Sequence, residues 1–178
     1  MTDLSGKKVA IIATDFFEEA ELVEPRDRLR DAGAEVKVYS TGTDAIQAVE
    51  GDTTPTQKVE VDGTLEDLDV SSIDAVVVPG GTVNADRIRI EERAQTIARE
   101  VLDAGKPLAV ICHGPWLLVS AGLVRDRRLT SYHSLADDVR NAGGDWVDEE
   151  VVVDGTLITS RNPDDLPAFV EAIEAALA

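Results

Sequence analysis

The stretch "AVICHGPWLL" (residues 109–118) places the only cysteine of the chain between two apolar runs. The run before Cys112 has the composition of a buried strand, and the run after it is typical of a helix with Pro115 in its first turn. A strand that passes directly into a helix through small residues forms a nucleophile elbow, which lifts one side chain above the sheet. Gly114 removes the clash that a side chain would make after the turn, although Val110 replaces the glycine that usually precedes the nucleophile by two residues.

Apolar strands alternate with amphipathic helices on both sides of this elbow, and this alternation predicts an α/β protein with a mainly parallel sheet covered on both faces. We found no linker or internal repeat, so we expect a single domain over residues 1–178. The predicted strands are 7–14, 35–41, 73–81 and 106–111, with a hairpin at 150–160 turning at Asp154-Gly155, and a loop or hairpin at 42–63. The predicted helices are 19–33, 90–104, 115–124, 134–144 and 164–178.

Ligands of parallel sheets bind beyond the carboxyl ends of the strands. Three turns follow predicted strands, at residues 14–21, 79–86 and 112–115, and we expect them to line one crevice. The backbone N–H of His113 and an N–H from the Gly80-Gly81 turn are candidate donors to a substrate oxyanion.

Cys112 is either a buried, inert residue or a nucleophile, and its strand–Cys-His-Gly–helix context favours the nucleophile. A helix N-terminus would activate the thiol by lowering its pKa. His113 either reaches this thiol from the side or only fixes local geometry. A glutamate of the first turn, held protonated by burial, would stabilise the thiolate without adding a like charge, but spacing does not decide between Glu18, Glu19 and Glu21. His133, near the start of a predicted helix, is interpreted as a surface or capping residue.

The composition excludes several partners. Seventeen basic and thirty-five acidic residues give a net charge of −18, which argues against nucleic acid and anionic membranes. Acidic residues are spread along the chain and arginine outnumbers lysine twelve to five, so we expect a halophilic protein. One cysteine excludes an intramolecular disulfide, and residues 1–8 lack the apolar stretch of a signal peptide, so we expect a cytoplasmic protein.

No cofactor is expected from the motifs. One cysteine and two histidines lack the spacing of a structural zinc site, and the acidic residues form no recognisable coordinating loop. The glycine turns match neither of the common nucleotide-binding patterns.

Four stretches together resemble the PfpI intracellular cysteine peptidases of the DJ/PfpI superfamily. They are "AVICHGPWLLVSAGLV" at the elbow, "DFFEEAELVEPRDRLRDAGAEV" in the first turn and helix, "DAVVVPGG" in the glycine turn, and "TSYHSLADDVRNAGGDWVDEEVVVDGTLITSRNPDDLPAF" in the C-terminal third. The likeness covers most of the chain and implies a flavodoxin-like three-layer α/β sandwich that forms a homodimer or larger homo-oligomer.

The resemblance also implies site residues. Cys112 would be the nucleophile and His113 its partner. The family's buried glutamate corresponds to Glu21 by its position before Pro25, with Glu18 as second choice. The acid that the family supplies from a neighbouring subunit corresponds to Asp86, an aspartate in a loop one residue longer where the best-known members have glutamate.

Two functions fit these residues, and a third is disfavoured. The first is a cysteine-dependent hydrolase that attacks carbonyl groups, acting as an intracellular peptidase or as a deglycase or glyoxalase in stress defence, on a peptide, a protein or a small carbonyl compound. The second is a non-enzymatic redox-sensing stress protein or chaperone. The third, a glutamine amidotransferase-like hydrolase, is disfavoured because it needs a downstream histidine with a carboxylate two places later, and Leu135 occupies that place after His133.

Overall fold

Strands and helices alternate along most of the chain in this computed structural model, which describes residues 2–178. The strands are β1 (Lys8–Ile12), β2 (Phe17–Glu18), β3 (Glu35–Ser40), β4 (Ile46–Glu50), β5 (Thr54–Val59), β6 (Gly63–Thr64), β7 (Ala75–Val78), β8 (Leu108–Ile111), β9 (Arg128–Leu129), β10 (Asp145–Trp146), β11 (Val151–Asp154) and β12 (Leu157–Ser160). The helices are α1 (Glu19–Asp31), α2 (Thr82–Ile88), α3 (Glu92–Asp103), α4 (Pro115–Ser120), α5 (Ala136–Asn141) and α6 (Leu166–Leu177).

Seven strands form the central sheet, in the order β11-β12-β8-β7-β1-β3-β6. Its neighbouring strands pair in parallel except for the antiparallel hairpin of β11 and β12. The predicted mainly parallel sheet is therefore confirmed, as is the hairpin, whose turn contains Gly155 with φ 62°.

Side chains of β1 alternate between two apolar cores because successive residues of a strand point to opposite faces. Val9 and Ile11 pack with residues of α1 and α6 on one face, whereas Ala10 and Ile12 pack with residues of α3 and α4 on the other. Helices thus cover both faces, and the predicted three-layer α/β sandwich is confirmed.

Residues 42–63, expected to be a loop or hairpin, form the antiparallel hairpin of β4 and β5. Strand β4, the middle strand of this second sheet, also pairs with β2, which directly precedes α1. The resulting three-stranded sheet lies beside the carboxyl end of β1 and brings the hairpin turn at Gly51-Asp52 close to the start of α1 and α2.

Two helix predictions need correction. The helix expected over 115–124 ends at Ser120, because Gly122 adopts a φ of 71° and closes it with a left-handed turn. The helix expected from Ile90 begins at Glu92, and Ile90 is 74% exposed. The short helix α2 was not expected, because its seven residues are too few to show a helical period and include the buried polar residue Asn84.

Candidate active site

The turns after β1, β7 and β8 meet at one edge of the sheet, since these three strands are neighbours. The backbone N–H of Gly80 donates a 2.7 Å hydrogen bond to Glu21 Oε2. A Cβ on Gly80 would lie 2.6 Å from that oxygen, 2.7 Å from Cys112 Cβ and 2.9 Å from the backbone nitrogen of His113. The turn therefore fits between the first helix and the elbow only because residue 80 has no side chain.

Cys112 has the strained backbone of a nucleophile elbow. Its φ is 61°, which is unusual for any residue other than glycine. The neighbouring β12 helps to hold this conformation, because the Cys112 N–H donates to the Ser160 carbonyl at 3.1 Å. A Cβ on Gly114 would lie 2.8 Å from Val110 Cγ1, which explains the glycine after the turn. Cys112 itself is 6% exposed.

His113 lies against the thiol and is itself buried. Its Nδ1 is 3.3 Å from Cys112 Sγ, and its Nε2 is 3.3 Å from the Thr82 hydroxyl at the start of α2. The imidazole stacks on the Tyr132 ring, with centroids 4.6 Å apart, and meets the edge of Trp116 at 5.6 Å. The ring is therefore fixed between a sulfur, a hydroxyl and two aromatic side chains.

Glu21 is the glutamate that the structure places next to the thiol. Its side chain is fully buried and interacts with Cys112, and its Oε1 makes no hydrogen bond with any residue of 2–178. Burial raises the pKa of this carboxyl from 4.5 to about 8, despite the opposing effect of the Gly80 N–H. The carboxyl thus keeps its proton at neutral pH and can donate it in a hydrogen bond.

The expectation of a lowered thiol pKa is not met. Burial raises the pKa of Cys112 well above its usual value, and the negative charge of an ionised Glu21 raises it further. The backbone N–H of His113 acts in the opposite direction but does not outweigh burial. Because Glu21 is protonated below about pH 8, its charge is removed under these conditions, and burial remains the main obstacle to thiolate formation.

Other candidates from the sequence lie elsewhere. Glu18 accepts hydrogen bonds from the N–H groups of Gly51 and Asp52 at 3.0 and 3.1 Å, so its carboxylate holds the hairpin turn. Glu19 interacts with the side chains of β5 rather than with the elbow. Asp86 is exposed on α2, and no hydrogen bond or ion pair joins it to His113 within residues 2–178.

The glycine turn offers fewer oxyanion donors than expected. The N–H of Gly80 is donated to Glu21, and that of Gly114 is donated to the Ile111 carbonyl at 2.9 Å. The N–H groups of Gly81 and His113 are the remaining candidates. Gly81 adopts a φ of 84°, and a Cβ there would lie 2.5 Å from the Phe16 carbonyl oxygen, so this position also requires glycine.

Sequence reasoning missed Asp52 and Thr82. The Asp52 carboxylate accepts the Thr82 N–H at 2.7 Å, and the Thr82 hydroxyl contacts the histidine of the elbow. In the sequence, Asp52 lies in a turn-rich stretch and Thr82 in a turn after a strand, and neither pattern identifies a site residue. Their contact could not be predicted because the two residues are thirty positions apart in the chain. His133 was expected at the surface and is exposed, but its ring also lies tilted against that of Tyr132, with centroids 4.4 Å apart.

Two further observations concern the whole described chain. Within residues 2–178, no three His, Cys, Asp or Glu side chains lie close enough to hold a metal ion. None of the helices in this range is both long and apolar enough to span a membrane.

Comparison with known proteins agrees with this architecture. The sequence profile of the DJ-1/PfpI family matches residues 7–176, and the chain belongs to this family. A protein named a deglycase from Pyrococcus abyssi is 45% identical over 163 residues, which cover 92% of this chain and 95% of that protein. The deglycase PfpI of Pyrococcus furiosus is 41% identical over the same shares of both chains, and general stress protein 18 of Bacillus subtilis is 39% identical over 92% of this chain and 94% of that protein.

Solved structures show the same fold. The crystal structure of Drosophila melanogaster DJ-1beta superposes with a TM-score of 0.87 at 31% identity, over 97% of this chain and 90% of that one. A two-domain protein from Anabaena variabilis, with DJ-1/ThiJ/PfpI-like and ferritin-like domains, gives a TM-score of 0.90 at 36% identity, over 96% of this chain and 48% of that one. The family inferred from the four stretches and the flavodoxin-like fold that the resemblance implies are both confirmed.

Proposed function

We propose that this protein is a cysteine-dependent enzyme that attacks carbonyl groups, and that it acts as a deglycase on adducts of reactive carbonyl compounds in the cytoplasm. The observation that carries the proposal is the elbow itself, where Cys112 Sγ lies 3.3 Å from His113 Nδ1 and beside the buried carboxyl of Glu21. The relatives from Pyrococcus that are named deglycases support this choice of substrate class.

The first chemical step requires only groups of this site. The Cys112 thiol transfers its proton to His113 Nδ1, and the protonated Glu21 carboxyl donates a hydrogen bond to the resulting thiolate. The sulfur then adds to the substrate carbonyl carbon, a C–S bond forms, and the π electron pair moves to oxygen. The N–H groups of Gly81 and His113 stabilise this oxyanion, which takes the proton back from the imidazolium to give a neutral thiohemiacetal.

The Thr82 hydroxyl suits both states of the histidine. It accepts from Nε2–H in the neutral ring, whose Nδ1 is then free to take the thiol proton, and it accepts from the same Nε2–H when the ring is an imidazolium. The ring can therefore gain and lose a proton without reorienting, which favours its role as the general acid and base.

Cys112→Ser and His113→Gln test the proposal. Purified variants and wild type would be compared in methylglyoxal consumption, release of free amine from methylglyoxal-treated amino acids, and peptide cleavage, all in concentrated salt. We expect both variants to lose at least about a hundredfold in kcat/KM for deglycation, in line with the loss of a nucleophile or general base. Wild-type rates in Cys112→Ser, with an unchanged melting temperature, would refute a thiolate mechanism.

The same assays separate the second candidate function, a non-enzymatic redox sensor, which the resemblance to general stress protein 18 favours. A sensor would show no turnover of any of these substrates, while peroxide would convert Cys112 to the sulfinic acid. Since Cys112 is the only cysteine, no intramolecular disulfide could intercept the sulfenic acid, so mass spectrometry of the intact chain would report the oxidation directly.

A further inference from the structure

The family resemblance implies that the third acid of the site comes from a neighbouring subunit, but this chain places a carboxylate of its own near His113. Asp52 lies in the turn between β4 and β5 and is half-buried. Its Oδ1 accepts the backbone N–H of Thr82 at 2.7 Å, and the Thr82 side chain contacts His113 Nε2. Asp52 thus approaches the imidazole from the side opposite the sulfur.

The hairpin turn holds Asp52 rigidly. Its φ is 64°, a left-handed conformation that aspartate and asparagine tolerate better than most residues. The Glu18 carboxylate accepts the N–H groups of both Gly51 and Asp52, so the turn is fixed to the start of α1. Glu18 therefore positions the hairpin turn, which accounts for its place at the start of α1 although its carboxylate does not reach the thiol.

We propose that Asp52 is a positioning residue that acts through Thr82 to favour the protonated form of His113, and that the chain therefore contains its own acid for the Cys112–His113 pair. The catalytic role of Asp52 rests on the proposed function. Its effect on the charge state of His113 does not, because that charge state can be measured without turnover.

Several groups act on His113 from the elements packed around it. Burial lowers the pKa of the imidazole, and the exposed His133 lowers it further when positively charged. Asp52 raises the pKa of His113 and is the carboxylate that does so. Cys112 and Glu21 complete the surroundings, and Glu21 carries no charge below about pH 8. If the Asp52 charge is removed, burial and the charge of His133 both lower the pKa of His113, and no carboxylate raises it.

The test is an NMR titration of the two histidine rings, with His133→Gln used to assign the signals. Asp52→Asn keeps an oxygen that can accept the Thr82 N–H and keeps a residue type that tolerates positive φ, so it removes charge with little change of shape. We expect the pKa of His113 to fall by about 0.5 to 1 unit, less than the 1 to 3 units typical of a carboxylate in direct contact.

Two sets of controls make the result specific. Glu50→Gln removes an exposed charge from the same hairpin and should shift the pKa of His113 by less than about 0.2 units, because exposed charges are screened. Thr82→Val should lower the pKa of His113, whereas Thr82→Ser should preserve it, and this pair tests the hydroxyl contact on which the proposal depends if Asp52→Asn fails to fold. An unchanged titration in Asp52→Asn and Thr82→Val, or a larger shift in Asp86→Asn, would overturn the proposal in favour of an acid from a second subunit. Failure of the proposed function would be seen differently, as full deglycase activity in Cys112→Ser.

Discussion

The pH dependence of the free energy of unfolding reports whether the Glu21 carboxyl is protonated in the folded protein. In the folded protein the pKa of this carboxyl is about 8, against 4.5 for an unperturbed glutamate, a difference that corresponds to about 5 kcal/mol. The folded state keeps a proton that the unfolded chain releases above pH 4.5. The contribution of Glu21 to stability is therefore fully present below pH 4.5, declines as the pH rises, and is lost once the pH passes through about 8.

Glu21→Gln removes this titration and keeps an oxygen to accept the Gly80 N–H. We expect the free energy of unfolding of wild type, relative to that of the variant, to fall by about 1.4 kcal/mol per pH unit between pH 5 and 8 and then to level off. Urea unfolding followed by the fluorescence of Trp116 and Trp146, at constant high salt, measures both curves.

Glu60→Gln serves as the matched control, because it removes one exposed carboxylate from a chain whose net charge is −18. Its stability should run parallel to that of wild type across the same pH range. If Glu21→Gln also runs parallel to wild type, then Glu21 is ionised in the folded state, and the neutral hydrogen-bond donor proposed for the thiolate does not exist.

Three further measurements test the packing, the surface and the assembly. Gly80→Ala should lower the free energy of unfolding by about 1–3 kcal/mol and slow the labelling of Cys112 by iodoacetamide, because the added Cβ would overlap atoms of the site. The control Gly42→Ala adds a Cβ where no atom lies within contact distance, and it should leave both quantities unchanged. If the acidic surface is halophilic, the melting temperature should rise with potassium chloride concentration, and higher stability at low salt would contradict that expectation. Analytical ultracentrifugation at micromolar concentration should give a mass at least twice the 19.1 kDa of one chain, whereas a monomer would contradict the homo-oligomer that the family resemblance implies.

The sequence predicted the parts of the fold that depend on local pattern. The three strands in the middle of the main sheet, β1, β7 and β8, are almost entirely apolar, and a parallel sheet with both faces covered gives its strands that composition. The elbow was recognisable because a strand, a cysteine, a small residue and a proline follow one another within eight residues of chain. Adjacent parallel strands then bring their following turns together, which is why Glu21, Gly80 and Cys112 could be expected at one edge.

The contacts that the sequence did not predict depend on distant segments. Asp52 is one of thirty-five acidic residues, and nothing in its local sequence distinguishes it from solvated neighbours. Its approach to Thr82 requires the pairing of β4 with β2 and the unexpected helix α2. The pKa of Cys112 was misjudged for a related reason, because the depth of burial, which outweighs the backbone N–H at the elbow, is a property of the completed core.

Glu21 and Asp52 meet two electrostatic requirements that conflict at a buried cysteine. Burial disfavours every charge, yet a thiolate needs a partner that donates a proton or carries positive charge. A protonated Glu21 supplies a donor without a charge, and Asp52 favours a positive His113 from the side away from the sulfur. Ionisation of Glu21 would remove the donor and place a second negative charge beside the sulfur. In most cysteine enzymes thiolate character increases with pH, but here the proposed reactivity of Cys112 should decline once the pH exceeds the pKa of Glu21.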